Sequence, residues 1–482
     1  MNLSRRFFLA GAGAFGAFGA FSGCRLLRGG SASTGVAKLK FGVVSDVHVR
    51  LAKPGELAVS NNTDTLVHTL EWFRDQGVDA VMIAGDIADH GMVGEMEAVA
   101  KAWFQVFPDD KAPDGRTVAR LFVTGNHDWE GFEYGGNIKG QYKGDDAAWK
   151  QAILRTDYKG NWERIWHEPF APVWMKNVKG YNFIGAHWTA DHCRGADEIG
   201  IQGVEEFFAA HGKELDPNQP FFYFQHPHPK DTVYGAKAWG RDLGASTRAL
   251  TPFANAVAFS GHSHFTLTDE RSVWQGAFTS IGTASLRYTS NYDAGTEGGY
   301  ENRKKDSLMA KLNTFDNRQG MLVSVFGDRL TIARRDFMRD ASLGDDWVLP
   351  LPVAENRPFA FKTRAPIYGV PAFPAAAQAA VAETTVGKNK TPALKVSFPA
   401  ATAGKVRAHD YVVEFAAADG AAKRFNMLAP GFHRARTDAE ATAEVAFVIA
   451  RAKLPAEFTA ARVTVTPRSC YGVAGTPLTA QV

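Results

Sequence analysis

The chain has 482 residues, enough for about two to four domains at roughly 150 residues each. Hydrophobic residues make up 45% and charged residues 22%, an ordinary globular balance that excludes a disordered or fibrous protein. With 54 basic and 51 acidic residues the net charge is +3, and four arginines of residues 1–34 supply that excess, so no basic face for electrostatic binding of nucleic acid is implied.

Residues 1–34 read as an address. Ser4-Arg5-Arg6-Phe7-Phe8-Leu9 sets a twin-arginine pair before a Gly-, Ala- and Phe-rich stretch that ends near Phe21. That stretch is too short and too glycine-rich for a membrane span of about 20 apolar residues. Charge, apolar run and small residues (Gly29 to Ser33) follow in the order of a cleavable export signal, and the segment resembles a bacterial Tat signal. Phe21-Ser22-Gly23-Cys24 is a candidate lipoprotein box in which Cys24 would carry the lipid tether. The expectation is a periplasmic or outward-facing protein, soluble or lipid-anchored.

From Lys38 onward, short apolar runs alternate with helical patterns. Leu39 to Ser45, Asp79 to Gly85, Ala119 to Thr124, Asn182 to Ala186, Phe221 to Gln225 and Ala256 to Ser260 predict buried strands bounded by turn residues. Between the first two, Leu66, Leu70 and Phe73 fall at i, i+4 and i+7, a helix that Gly77 can end. The alternation predicts an α/β layered domain over 38–345. Prolines 350, 352, 358, 366, 371 and 374 mark a Pro-rich linker over 346–374. Period-two segments at Ala393 to Phe398, Tyr411 to Phe415, Val445 to Ile449 and Arg462 to Val465 then predict a small β-sandwich over 375–482. Its closing strands resemble those of a fibronectin type III domain.

Five clusters follow the apolar runs: Asp46-Val47-His48, Gly85-Asp86-Ile87-Ala88-Asp89, Gly125-Asn126-His127-Asp128, His226 and Gly261-His262-Ser263-His264. Each lands in the loop just past a strand, where α/β sheets place their sites. Carboxylate, imidazole and amide oxygen are the donors that hard to borderline divalent metals take. The glycines before Asp86, Asn126 and His262 are expected to let the backbone turn sharply beside a crowded centre.

This ordered set (D-x-H, G-D-x-x-D, G-N-H-D, H, G-H-x-H) resembles the calcineurin-like metallophosphoesterase family. The resemblance implies a sandwich of two mixed sheets flanked by helices and a site for two metal ions, Mn, Fe or Zn. It puts Asp46, His48 and His264 on the first metal, Asn126, His226 and His262 on the second, and Asp86 between them. It further implies that metal-bound hydroxide hydrolyses a phosphomonoester or phosphodiester of a small molecule. His127 would act as general acid or phosphoryl stabiliser, with Asp128 orienting its ring and raising its pKa. Purple acid phosphatases carry a metal-bound tyrosine where Asp89 stands, so a coloured mixed-valence centre is not expected.

Other residues stay open on sequence alone. His228 is a support for the ligands or faces substrate; His90 reads as an exposed loop residue; Arg50 either contacts substrate phosphate or is a surface arginine. His187, Trp188 and His192 are candidates for the pocket wall. An oxidising compartment would permit a bridge between Cys193 and Cys470. Two other readings of the whole chain are a catalytically silent envelope- or glycan-binding module and a metal-dependent nuclease. The complete ligand set opposes the first, and the neutral charge opposes the second.

Overall fold

The computed structural model describes residues 35–50, 61–133, 137–189, 200–234, 242–289, 317–404, 406–433, 444–454 and 460–482. The export segment with Cys24, and His192 and Cys193, lie outside them.

Two sheets form the core of the first domain. Strands β1 (Leu39–Val44), β2 (Ala80–Ala84) and β3 (Ala119–Val123) run parallel, the pattern expected where both faces are covered. Next along the chain come β4 (Val173–Val178), β5 (Tyr181–Ala186), β6 (Phe221–Phe224), β7 (Ala256–Ser260), β8 (Val273–Gln275) and β9 (Thr279–Gly282). They build a six-stranded sheet in the order β4-β5-β6-β7-β9-β8. The chain then returns to the first sheet through β10 (Gln319–Val325), β11 (Arg329–Asp336), β12 (Ala341–Ser342) and β13 (Trp347–Pro350), giving β12-β11-β10-β1-β2-β3 with β13 beside β11.

Period-two alternation decides which side chains fill the space between the sheets. Leu39, Phe41 and Val43 of β1 meet Phe183, Phe222 and Phe259 of the other sheet, and Phe41 touches all three rings edge-on at 4.8–5.9 Å. Each such buried side chain contributes about 1.5–3 kcal/mol over leaving it in water. On the outer face, Gly42 leaves room for Phe73, which with Leu66 and Leu70 lines the inner side of the helix Asn61–Asp75. Gly77 follows that helix at φ +72°, as expected of a helix stop. Helices Val93–Val106 and Tyr158–Trp166 cover the same face, and Val204–His211 and Ala245–Leu250 cover the six-stranded sheet, so the layers run helix, sheet, sheet, helix.

Toward the C-terminus, β14 (Ala380–Val386), β15 (Thr391–Pro399), β16 (Asp410–Ala417), β17 (Ala422–Leu428), β18 (Glu444–Ala450), β19 (Ala460–Arg468) and β20 (Leu478–Gln481) make two all-antiparallel sheets, β14-β15-β18 and β17-β16-β19-β20. Val396, Phe398, Tyr411, Val413, Phe415, Phe447, Val463 and Val465 form their shared core.

The expected linker over 346–374 needs correction at both ends of its first half. Its start is β13, where Trp347 and Leu349 point into the core between the sheets and Val348 points out. A helix, Phe361–Tyr368, follows within it and carries Pro366 inside. The prolines hid a strand of only four residues, too short for its alternation to stand out. Among the described residues no helix is long and apolar enough to cross a membrane.

Candidate metal centre

The five motif loops meet at one place, beyond the ends of β1, β2, β3, β6 and β7. Parallel pairing of β1 with β2 and of β2 with β3 sets the loops of Asp46, Asp86 and Asn126 side by side. The second sheet brings His226, His262 and His264 across from them. Five of the seven expected ligands hold the left-handed backbone conformation: Asp46 (φ 51°), His48 (49°), Asp86 (51°), His262 (70°) and His264 (56°). Non-glycine residues rarely adopt it, and such strain clusters at functional sites.

Close approach explains the glycines, but only Gly85 also needs its conformation (φ +88°). A Cβ at Gly85 would run into His226, one at Gly125 into Asp86, and one at Gly261 into Asp46. Gly125 itself is extended, at φ −114°. The expected role is thus corrected from turning to space at that position.

Donor atoms gather in two groups that share Asp86. Asp46, His48, Asp86 and His264 form one, and Asp86, His226 and His262 the other, each with its donors within 4.8 Å of one another. In the first, His264 Nε2 lies 3.0 Å from Asp46 Oδ1, and His48 Nε2 lies 3.2 Å from His264 Nε2 and 3.6 Å from Asp86 Oδ2. In the second, His226 Nε2 is 3.0 Å from Asp86 Oδ2 and 3.2 Å from His262 Nδ1. Two donors bound to one ion at about 2.1 Å and 90–110° apart stand about 3.0–3.4 Å from each other, so these are ligand-edge spacings.

Tautomers agree with that. His48 Nδ1 donates to Asp89 Oδ1 (2.8 Å), His226 Nδ1 to the Ala84 carbonyl (2.9 Å) and His264 Nδ1 to the Tyr288 carbonyl (3.0 Å). Each bond leaves the Nε2 lone pair facing the centre, the arrangement in which supporting groups orient metal-bound histidines. Ring nitrogens that face one another at this range are joined by a proton or by a shared cation. Asn126 completes the fit: its Oδ1 is buried and has no hydrogen-bond partner, a cost that a cation in the second group would remove. The residues present therefore fit bound metal, in two donor groups that share Asp86.

Electrostatics point the same way. Burial opposes every charge here, yet His264, His48 and His226 hold the Asp46 carboxyl well below its usual range, and the histidines around Asp86 do the same there. In return, and against burial, Asp46 and Asp89 push His48 up to about 10, and Asp86 and Asp46 push His226 up to about 9. Without metal these two rings carry protons in place of cations. Their raised pKa values stabilise the metal-free fold fully below the unfolded value of about 6.5, and that contribution disappears as pH rises through about 9 and about 10. Metal binding must displace those protons. Titrating Mn²⁺ into stripped protein at pH 8 in weak buffer should release more than one proton per chain, and no release would contradict this assignment.

His127 and Asp128 do not cooperate as expected. The Asp128 carboxylate accepts the backbone N–H groups of Ile87 (3.1 Å), Ala88 (2.6 Å) and Gly125 (2.8 Å), so it ties the Asp86 loop to the Asn126 loop. Burial and the neighbouring Asp86 push it up to about 7. The His127 ring instead donates from Nδ1 to the Asp89 carbonyl (2.7 Å) and stands edge-on to His48, with centroids 4.5 Å apart. Burial pushes this imidazole down to about 4 rather than up. The sequence could not separate these roles, because adjacent residues at a helix start point in different directions.

Asp89 is the supporting residue that sequence reasoning underrated. Besides His48 it holds Arg50 Nε, lies 3.3 Å from His90 Nε2, and gives its carbonyl to His127. Its place in G-D-x-x-D was the available signal. Ser45, Thr283 and Ser285 were missed altogether. Thr283 Oγ1 donates to Ser45 Oγ (2.7 Å), which donates to Asp46 Oδ2, and Ser285 Oγ donates to the Asp46 carbonyl (3.1 Å). No local pattern marks a serine 239 positions from its partner.

The remaining open residues resolve as follows. His228 is buried between the hydroxyls of Ser260 and Ser263 at 2.7 Å each, under the ligand loop and away from solvent. His90 is mostly buried against Glu95 (2.9 Å), not exposed. His187 and Trp188 are buried, the latter 6.4 Å from the His262 ring. Cys470 is a buried free thiol.

A family profile for calcineurin-like phosphoesterases matches residues 39–266. This stretch is similar to calcineurin-like phosphoesterase domains. All seven expected ligands fall inside it. Among solved structures, the chain is similar to a dimetal phosphatase from Danio rerio at 12% identity, covering 65% of this chain and 99% of that one with a TM-score of 0.33. It is also similar to a purple acid phosphatase from yellow lupin (11% identity, 64% and 53% covered, TM-score 0.35) and to zinc-bound Vps29 from Entamoeba histolytica (9%, 65% and 99%, 0.28). No curated protein sequence matches the chain.

Proposed function

We propose that this domain hydrolyses a small phosphomonoester or phosphodiester at a pair of metal ions. The observation that carries the reading is the sharing of Asp86 by two convergent donor groups, with Asn126 Oδ1 buried and unpartnered on a third motif loop. Asp46, His48 and His264 would hold one ion, Asn126, His226 and His262 the other, and Asp86 both. Bound there, the ions would polarise the phosphoryl oxygens and acidify a water to serve as nucleophile near neutral pH.

The chain's own groups do the rest. Buried Asp46 and Asp86 offset the charge of two cations in a space that Gly85, Gly125 and Gly261 keep open. His127 supplies the proton relay. Its Nδ1–H is committed to the Asp89 carbonyl, so Nε2 is the atom that meets substrate. A phosphate anion next to the ring offsets the burial that depresses its pKa, and Nε2–H then protonates the departing oxygen.

His127→Ala should lower kcat by about 10²–10⁴-fold, the range for losing a positioned acid, while metal content stays that of the parent. Loss of both metals in that variant would move His127 into the ligand set. Assaying the purified protein with nitrophenyl phosphate mono- and diesters in added Mn²⁺, alongside elemental analysis, tests the proposal itself. Hydrolysis that chelation abolishes supports it; a fully loaded protein inert on every ester would make it a silent scaffold.

We also propose export, on the strength of Arg5-Arg6 and the apolar segment behind them. A reporter fused to residues 1–34 should leave the cytoplasm by the twin-arginine route, and retention or Sec-only export would overturn this.

A further inference from the structure

Two arginines flank the His48 side of the centre, and the hydrolytic reading leaves both unused. Arg50 rests its Nε on Asp89 Oδ2, with its side chain 49% exposed. Asp89 in turn accepts from His48 Nδ1 at 2.8 Å. Arg287 reaches the same ligand from the other side: its Nη1 donates to Asn62 Oδ1 (2.6 Å), and Asn62 Nδ2 donates to the carbonyls of Val47 (2.8 Å) and His48 (3.1 Å). Its loop is fixed to the first ligand as well, because Ser285 Oγ donates to the Asp46 carbonyl and accepts the Arg287 N–H at 2.8 Å.

The charges at this edge do not balance. Arg287 is half-buried and has no carboxylate partner among the described residues. Arg50 sits on Asp89 and Arg287 on Asn62, each one hydrogen-bond step from His48, so the two guanidiniums flank the same ligand; burial lowers the Arg287 pKa, and the like charge of Arg50 lowers it further. Among the described residues Asp89 is the acid that reaches them, and it is already shared with His48. Like charges that flank one ligand cost free energy unless an anion joins them. Planar N–H forks are suited to phosphate or carboxylate oxygens.

We propose that Arg50 and Arg287 form a second anion subsite, so that the preferred substrate carries a further phosphate or carboxylate on its leaving group. The metal pair would take the scissile phosphoryl group, and the arginines the distal anion. This inference rests on the phosphoesterase reading and adds substrate class to it.

Matched esters separate the two ideas. Propyl phosphate, propane-1,3-diyl bisphosphate and 3-phosphonooxypropanoate share a three-carbon leaving group and differ in its far end. On metal-loaded protein we expect kcat/KM for at least one doubly anionic ester to exceed that for propyl phosphate by about tenfold or more, the scale of one charge-assisted hydrogen bond. The bisphosphate and carboxylate arms identify the anion. Calorimetry with propylphosphonate against propane-1,3-diphosphonate and 4-phosphonobutanoate should show the same order in binding alone. In Arg287→Gln and in Arg50→Gln the ratio should fall toward one, with Arg287→Lys intermediate because it keeps charge but loses the fork. A ratio near one in the parent, with propyl phosphate hydrolysed, overturns the subsite and leaves the phosphoesterase standing. No hydrolysis of any ester, with metals bound, fails the parent reading instead.

Discussion

Asp86→Asn should strip the protein of both metals and reduce turnover by more than about 100-fold, the upper end of what losing a mere supporting residue costs. The carboxylate is 2% exposed, and its Oδ2 lies 3.6 Å from His48 Nε2 and 3.0 Å from His226 Nε2, one nitrogen from each donor group. Its Oδ1 accepts the His127 N–H at 2.9 Å. Asparagine keeps that shape and tolerates φ 51°, so the fold has no reason to change. What goes is a charge, leaving Asp46 as the one ligand carboxylate for two cations, which repel each other at short range. Asp46→Asn should by contrast deplete the first ion before the second. Elemental analysis of both variants decides; an Asp86→Asn protein with two metals and near-parental activity would mean that this carboxylate bridges nothing.

The second large effect is expected far from the chemistry. Arg271 is 5% exposed and donates to both oxygens of Asp269, at 3.0 and 2.7 Å; it lies 3.6 Å over the Tyr234 ring and meets His409 Nε2 of the C-terminal sheets at 3.0 Å. This cluster sits on the loop that leaves His264, and Thr268 and Glu270 of the same loop also contact Phe432 and Tyr471. Arg271→Met should cost about 3–5 kcal/mol, because it strands the buried Asp269 carboxylate. Adding Asp269→Asn should recover much of that loss, since removing both partners of a buried pair is far less costly than removing one. Urea unfolding measures the first effect. Weaker metal retention in the single variant would show that the sandwich steadies the loop bearing His262 and His264. Unchanged unfolding and retention would reduce the contact to passive packing.

How far the sequence foretold this depends on whether a signal is local. Strands β1, β2, β3, β5, β6 and β7 were legible because their burial writes them as continuous apolar runs, whereas β4, only partly buried, was not predicted. The convergence of the candidate ligands was legible for the same reason: Asp46, Asp86, Asn126, His226 and His262 follow such runs within two residues. Residues whose work depends on a distant partner were not. Ser285 acts on Asp46, Asn62 on His48 and Arg271 on His409, and nothing near any of them in the chain announces it. Asp128 was misread because adjacency to His127 suggested a contact, whereas the backbone sends its carboxylate to the N–H groups beneath the Asp86 loop. β13 was missed because proline composition outweighed a four-residue alternation.

The most direct test is an anomalous difference map from crystals soaked in Mn²⁺. Two peaks about 3.5–4 Å apart, one among Asp46, His48 and His264 and the other among Asn126, His226 and His262, with the Asp86 carboxylate between them, are the predicted result. Peaks elsewhere, or a saturated crystal with none at Asp86, would contradict the account at its root.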